Sequence, residues 1–314
     1  MPVKLGWKGS QMLPDFIFIG AQKSASSFLQ ECLSAHPEAY LPNEETPFFE
    51  DYLYNASDLS WLEERFNHPK VSVAKRLGIK RPDYFAQMNC LDRIAHHIPD
   101  AKLLLVLRNP IDRFVSAYFH YAKSGFIPVV GLNEGVVALL DGAWESNYPR
   151  SAELIEYGFY GKHLQAWLSK FPKEQMLVML HDDVVKDSNE VVRTAYNFLG
   201  IDPYFNPSKA LEGRPKPSVY NAFRLAYLQA IKVLRVNNSP GENGTRLKDP
   251  SRAPISVFLH KLLYQLDDCV FAKCLPNGKP VLSSGNRASL LSTYQEDLGL
   301  LSELLNRRLD DWRK

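Results

Sequence analysis

The sequence predicts an α/β fold: a central parallel sheet covered by helices on both faces, three layers in all. Three observations predict it. Phe16-Ile17-Phe18-Ile19, Lys102-Leu103-Leu104-Leu105-Val106-Leu107 and Met176-Leu177-Val178-Met179-Leu180 are short apolar runs of the kind that lie buried on both faces of a parallel sheet. Polar loops and segments with apolar residues at helical spacing follow these runs, and strand–helix alternation is the mark of parallel pairing. The 314 residues, 45% hydrophobic and 23% charged, have ordinary globular composition and enough apolar surface for one large core. A single domain over residues 1–314 is expected.

Taken in order, the run at Phe16 ends at Gly20. After Ala21-Gln22-Lys23-Ser24-Ala25-Ser26-Ser27, the residues Phe28, Leu29, Cys32 and Leu33 repeat at helical spacing until His36-Pro37 stops the helix. The strand Lys102–Leu107 leads into the polar loop Arg108-Asn109-Pro110-Ile111-Asp112-Arg113. A helix then begins with Phe114, Ala117, Tyr118 and Tyr121 on one face. An amphipathic helix over about Tyr160–Phe171 precedes the third strand, and another over Ser188–Leu199 follows it and stops at Gly200. Residues 237–254, rich in Asn, Ser, Pro and Gly, read as a long and mobile surface loop. A leucine-rich helix over about Ser292–Trp312 closes the chain and is expected to pack on the core.

The bulk numbers narrow the function. A net charge of +2 argues against a general nucleic-acid or membrane binder, though not against a local basic pocket for a phosphorylated small molecule. The four cysteines, Cys32, Cys90, Cys269 and Cys274, form no C-x-x-C pair and have no histidine cluster beside them, so no zinc site is expected. Their sparseness fits a reducing compartment; a Cys269–Cys274 disulfide is the less favoured reading. With no apolar leader in Met1 to Lys8 and no long apolar run, the expected location is the cytoplasm.

Two segments carry anion-binding chemistry. Gly20 to Ser27 joins a strand to a helix N-terminus, where free N–H groups and the positive end of the helix dipole favour an anion. Small residues at Ser24, Ala25, Ser26 and Ser27 let phosphate oxygens approach the backbone, and Lys23 supplies charge. A capped helix after an ordinary turn explains this segment alone equally well. Arg108 stands at the end of a second strand, where ligands of open α/β sheets bind, and offers a fork matched to phosphate. Ser116 follows eight residues later. Two such loops suggest a ligand with two separate phosphate groups.

Together these segments resemble the nucleotide-binding signature of the sulfotransferases: G-x-x-K-[GS]-[GA]-[TS] for the 5′-phosphosulfate and R-[ND]-P-x-[DE]-R-x-x-S-x-Y for the 3′-phosphate. The nearer branch is that of the carbohydrate (heparan-sulfate type) enzymes and their bacterial small-molecule-modifying relatives. The resemblance runs from about Asp15 to Pro217 and implies a P-loop-like fold. Glu44-Glu45-Thr46-Pro47-Phe48-Phe49 is similar to E-x-x-F-F, and Gly78-Ile79-Lys80-Arg81-Pro82-Asp83-Tyr84 to G-x-K-[ST]-P-x-Y. Gly213-Arg214-Pro215-Lys216-Pro217 is similar to G-R-x-H-P, with Lys216 in place of histidine.

The resemblance implies transfer of a sulfuryl group from 3′-phosphoadenylyl sulfate (PAPS), leaving 3′-phosphoadenosine 5′-phosphate (PAP), by in-line displacement without a metal. Lys23 would serve the bridging oxygen and Lys80 the sulfuryl oxygens. Ser26 and Ser27, with Ser24 and Ala25 beside them, would hold the 5′-phosphate, and Arg108 and Ser116 the 3′-phosphate. Arg214 and Lys216 would close over the nucleotide. Glu45 would take the acceptor's proton, with Glu44 in reserve. The acceptor is expected to be a small polar molecule, a natural product or a sugar. Glu44, Asp51, Glu145, Glu153 and Glu156 would suit a cationic one, such as the guanidinium alkaloid toxins that bacterial relatives decorate. The rival readings are a P-loop-like kinase using ATP and magnesium, and a nucleotide-binding protein without catalysis.

Overall fold

The computed structural model describes residues 7–8, 11–207, 218–234, 236–237, 246–247 and 254–313. Its central sheet has five parallel strands: β1 Phe16–Gly20, β2 Ala39–Tyr40, β3 Arg76–Lys80, β4 Lys102–Leu107 and β5 Met176–Leu180. Their spatial order is β2-β3-β1-β4-β5. The principal helices are α1 Ser26–Ala35, α2 Met88–His97, α3 Pro110–Ser124, α4 Leu132–Leu140, α5 Tyr160–Leu168, α6 Ser188–Leu199, α7 Ala222–Lys232, α8 Pro254–Leu266 and α9 Ser284–Leu305. The chain divides into two compact units: residues 1–110, 159–215 and 296–314 form one, and residues 111–158 and 216–295 the other. The whole sheet lies in the first.

The sheet forms where the sequence buries apolar residues on both sides. Phe16, Phe18, Leu104 and Val106 join Leu29, Cys32 and Leu33 of α1 and Val191, Val192, Ala195, Tyr196 and Leu199 of α6 in one cluster. The alternate residues Ile17, Ile19, Leu103 and Leu105 are fully buried too and face the opposite side of the pleat. Each such side chain contributes about 1.5–3 kcal/mol. Because the strands are parallel, their carboxyl ends share one edge, and the connections leave the central pair β1–β4 in opposite directions. That is the switch point at which open α/β sheets bind ligands.

The structure departs from the sequence reading in several places. Strand β3 was not expected, because Arg76-Leu77-Gly78-Ile79-Lys80 has charged ends and a central glycine. It pairs with β1 through Phe16↔Gly78 and Phe18↔Lys80, and the glycine makes room for the Phe16 ring, which a Cβ there would meet at 2.1 Å. Helix α3 begins at Pro110, not at Phe114: proline with its fixed φ is at home in the first helical position, so Ile111, Asp112 and Arg113 are helical. Helix α9 starts earlier than expected and stops at Leu305, where Asn306 turns into the left-handed region (φ 49°); Asp310–Arg313 form a separate short 3-10 turn. Of the expected loop at 237–254, residues 238–245 and 248–253 lie outside the described residues, while 236–237 pair antiparallel with 246–247. All four cysteines are free thiols, so Cys269 and Cys274 are not bridged.

Candidate active site

The loop after β1 has an unusual backbone. Lys23 and Ala25 both adopt left-handed backbone, at φ 65° and 69°. Non-glycine residues held this way cost about 1–3 kcal/mol each and gather at functional sites. Such alternation turns successive N–H groups toward one concavity. Ala25 is the N-cap of α1 and offers no side-chain cap, and the first turn carries no acid. The Ser24 hydroxyl is fully buried and has no hydrogen-bond partner. An orphaned donor inside a loop that leads into a helix N-terminus fits a phosphate group. Ser26 is buried, and Ser27 is exposed at the helix start.

Beside this loop, the end of β3 delivers Lys80. Its side chain is 2% exposed, and its ammonium donates to Gln30 Oε1 at 2.9 Å and stands 3.7 Å from Glu45 Oε1. Burial pushes Lys80 below the ordinary lysine range, and the Glu45 carboxylate opposes that shift. Gln30, on α1, spends its two amide donors on the carbonyls of Pro42 and Asn43, which fixes the chain just before Glu45. Thr46 N–H donates to the Lys80 carbonyl at 2.9 Å, and Phe48 and Phe49 are buried. The two motifs therefore meet as backbone, core and ion pair. Glu45 Oε2 also pairs with Arg81 at 2.8 Å, and Glu45 is 40% exposed. Glu44 turns away to Arg65 at 3.3 Å and is 80% exposed, so it does not share the Lys80 site.

The loop after β4 reaches the first one: Arg108 donates to the Lys23 carbonyl at 3.4 Å. Asn109 donates to the Trp312 carbonyl, while the Trp312 indole N–H donates to Asp182 at 2.8 Å, so the chain's end braces this edge of the sheet. Ser116 lies half-buried on α3 in the second unit. Arg113, one turn into α3, is fully buried and donates to the Leu154 carbonyl, leaving its other nitrogens without partners. Arg214 and Lys216 lie outside the described residues. Among the described residues no group of three or more His, Cys, Asp or Glu is placed to hold a metal. No described helix is long and apolar enough to cross a membrane.

A family model described as "Sulfotransferase domain" matches residues 13–247. The chain belongs to the sulfotransferase family. The chain is 30% identical over 227 residues to mouse "Heparan sulfate glucosamine 3-O-sulfotransferase 3A1", covering 67% of the chain and 55% of that protein. It is 27% identical over 269 residues to mouse "Bifunctional heparan sulfate N-deacetylase/N-sulfotransferase 4", covering 81% of the chain and 30% of that protein. The chain thus spans about half, or less, of the length of the curated relatives it matches. Among solved structures, a sulfotransferase from Alicyclobacillus acidocaldarius superposes with a TM-score of 0.64 at 21% identity, covering 96% of this chain and 99% of that one, which establishes the fold.

The sequence does not single out a set of residues around Arg81. Arg81 pairs with Glu45, with Glu50 and with Asp83, the last at 2.8 Å. Asp83 in turn accepts from Gln22 at 2.9 Å, next to Lys23. The available signal was the departure from G-x-K-[ST]-P-x-Y, where Arg81 occupies the Ser/Thr position. The acids expected to suit a cationic acceptor are largely committed to internal partners: Asp51 to Arg93 at 2.6 Å, Glu44 to Arg65, and Glu153 to Arg150 and the Tyr121 hydroxyl.

Proposed function

We propose that the protein moves a sulfuryl group from PAPS to a hydroxyl or amine of a small polar acceptor, with Glu45 as the base. The observation that carries this reading is the Lys80–Glu45 pair set beside the Ser24 loop, a buried cation and a part-exposed carboxylate next to an orphaned phosphate-suited donor. The acceptor oxygen or nitrogen attacks sulfur while the bond from sulfur to the 5′-phosphate oxygen breaks. The acceptor's proton passes to Glu45, and PAP leaves. Lys23 meets the charge on the departing oxygen and the buried Lys80 the charge on the sulfuryl oxygens. Ser24, Ala25, Ser26 and Ser27 hold the 5′-phosphate through N–H and hydroxyl donors, and Arg108 takes the 3′-phosphate.

Calorimetric titration with PAP, against ATP with magnesium, on the wild type and Arg108→Ala tests the donor half. Metal-independent PAP binding that the variant loses is the expected result, and a preference for ATP with magnesium overturns it. PAP release from PAPS in the presence of glucosamine, an N-sulfated heparan tetrasaccharide, agmatine, 4-nitrophenol or water alone tests the acceptor half. No enzyme-dependent release with any of them leaves a nucleotide-binding protein in place of an enzyme.

A further inference from the structure

We infer that Arg81 is a positioning residue for the transfer: it grips one oxygen of Glu45 so that the other faces the acceptor. This rests on the reading of Glu45 as the base. Glu45 projects from a loop and is 40% exposed, so its own surroundings do not orient it. Its polar partners are two cations on adjacent residues, Arg81 on Oε2 at 2.8 Å and Lys80 on Oε1 at the longer 3.7 Å. The two holds differ in kind. Lys80 is an ammonium already donating to Gln30, and in the proposed reaction it serves the sulfuryl oxygens. When it does, its loose contact with Oε1 is the one that gives way, which frees that oxygen for the acceptor's proton. Arg81 stays.

Arg81 stays because every other side of it is fixed. Its backbone N–H donates to the Phe18 carbonyl at 3.1 Å, which locks it to β1. Its remaining guanidinium nitrogens are taken by Glu50 and Asp83, whose side chains are each 7% exposed. Asp83 accepts from Gln22 in the loop that carries Lys23. A planar fork of five donors can serve three carboxylates at once, and an ammonium or a hydroxyl cannot hold that geometry. The chain Gln22–Asp83–Arg81–Glu45 thus ties the base to the loop that holds the donor. In-line attack tolerates little error: a displacement of the order of 1 Å at the reacting groups costs about 100-fold in rate.

The test is steady-state PAP release from PAPS, with the best acceptor of the panel above or water, for two variants in the wild-type and Glu45→Gln backgrounds. Arg81→Ser combined with Glu50→Gln and Asp83→Asn removes the charges together, so no buried carboxylate is stranded, and the amide oxygen at position 83 still accepts from Gln22. Its kcat is expected to fall about 10- to 100-fold, with KM for PAPS and Kd for PAP within about twofold of wild type, since the positioning acts on the chemical step. Arg81→Lys keeps a cation without the fork and is expected to recover part of that loss while remaining below wild type. Neither change should lower kcat further once Glu45 is Gln. A wild-type kcat in Arg81→Lys, or in the folded triple variant, overturns the proposal, as does a loss that persists undiminished on Glu45→Gln. A wild-type kcat in Glu45→Gln alone is a different failure: it removes Glu45 as the base.

Discussion

Ser24 is the single side chain on which the proposed phosphate site can be tested most directly. Its hydroxyl is buried and unpartnered, so it contributes nothing to the fold through hydrogen bonding, and the proposed function gives it a phosphate oxygen as partner. Ser24→Ala is therefore expected to weaken PAP binding by about 1.5–3 kcal/mol, the worth of a hydrogen bond to a charged group, without lowering the melting temperature. Calorimetry and a thermal melt on the same sample separate the two effects, and a destabilised variant with unchanged affinity would contradict the role. Glu45→Gln keeps shape and removes the base. Its kcat should fall by about 100- to 10,000-fold, with PAP affinity retained. Lys23, Ser24, Lys80 and Glu45 were all legible as residue types at motif spacing. Arg81, Asp83, Glu50, Gln22 and Gln30 were not, because their importance lies in bonds between residues 31 to 61 positions apart.

At the scale of elements, close approach and capping decide what the apolar pattern leaves open. Helix α5 begins without a side-chain cap of its own. Asp297, on α9, supplies it by accepting from the Gly161 and Lys162 N–H groups at 2.8 Å each. Gly161 permits this contact, since a Cβ there would meet the Asp297 carbonyl at 2.6 Å and the Leu301 nitrogen at 3.0 Å, both backbone atoms with little freedom to move. Gly161→Ala is expected to cost about 1–3 kcal/mol by overpacking, and Asp297→Ala about 0.5–2 kcal/mol by uncapping. Denaturant melts measure both. Strands β1, β4 and β5 and helices α1 and α6 were legible because each is long or apolar enough to be periodic. The short β2 and the charged-ended β3 were not; β3 exists because β1 offers it a buried edge, and β2 because β3 in turn offers it one. Since Lys80 ends β3, the strand that the sequence hid is the one that delivers the cation proposed for the sulfuryl oxygens.

For the whole molecule, stability carries two signatures. Asp15, at the start of β1, accepts from the Leu77 N–H at 3.2 Å, and burial pushes its carboxyl from 3.8 up to about 6, against the pull of that bond and of Arg76 and Lys102. The native state then holds the proton more tightly than the unfolded chain. This group lowers stability as pH rises from about 4 to about 6, and its cost, at most about 3 kcal/mol, is fully present above that. Asp15→Asn keeps the acceptor for Leu77 and should melt higher than wild type at pH 7.5, with the difference vanishing near pH 4. A constant difference across that range would show that the carboxyl does not titrate this way. The second signature is linkage to ligand: PAP at a hundredfold over its Kd should stabilise the wild type by about 2.7 kcal/mol, and Arg108→Ala should lose that gain.

By itself the sequence determined the fold class and the family, and it singled out the two loops, the lysines and the glutamate proposed for the chemistry. Those are properties of local pattern: hydrophobic period, small residues before a helix, and motif spacing along the chain. Only the tertiary structure decided which glutamate stands against Lys80, that Glu44 is drawn off by Arg65, and that Arg81 joins Glu45 to Glu50, Asp83 and, through Asp83, to Gln22. The physical reason is that a parallel sheet brings the carboxyl ends of β1, β3 and β4 to one edge. Charges distant in sequence meet there in a poorly solvated space, where each must find a partner, and the pairing depends on distance and burial that no spacing encodes.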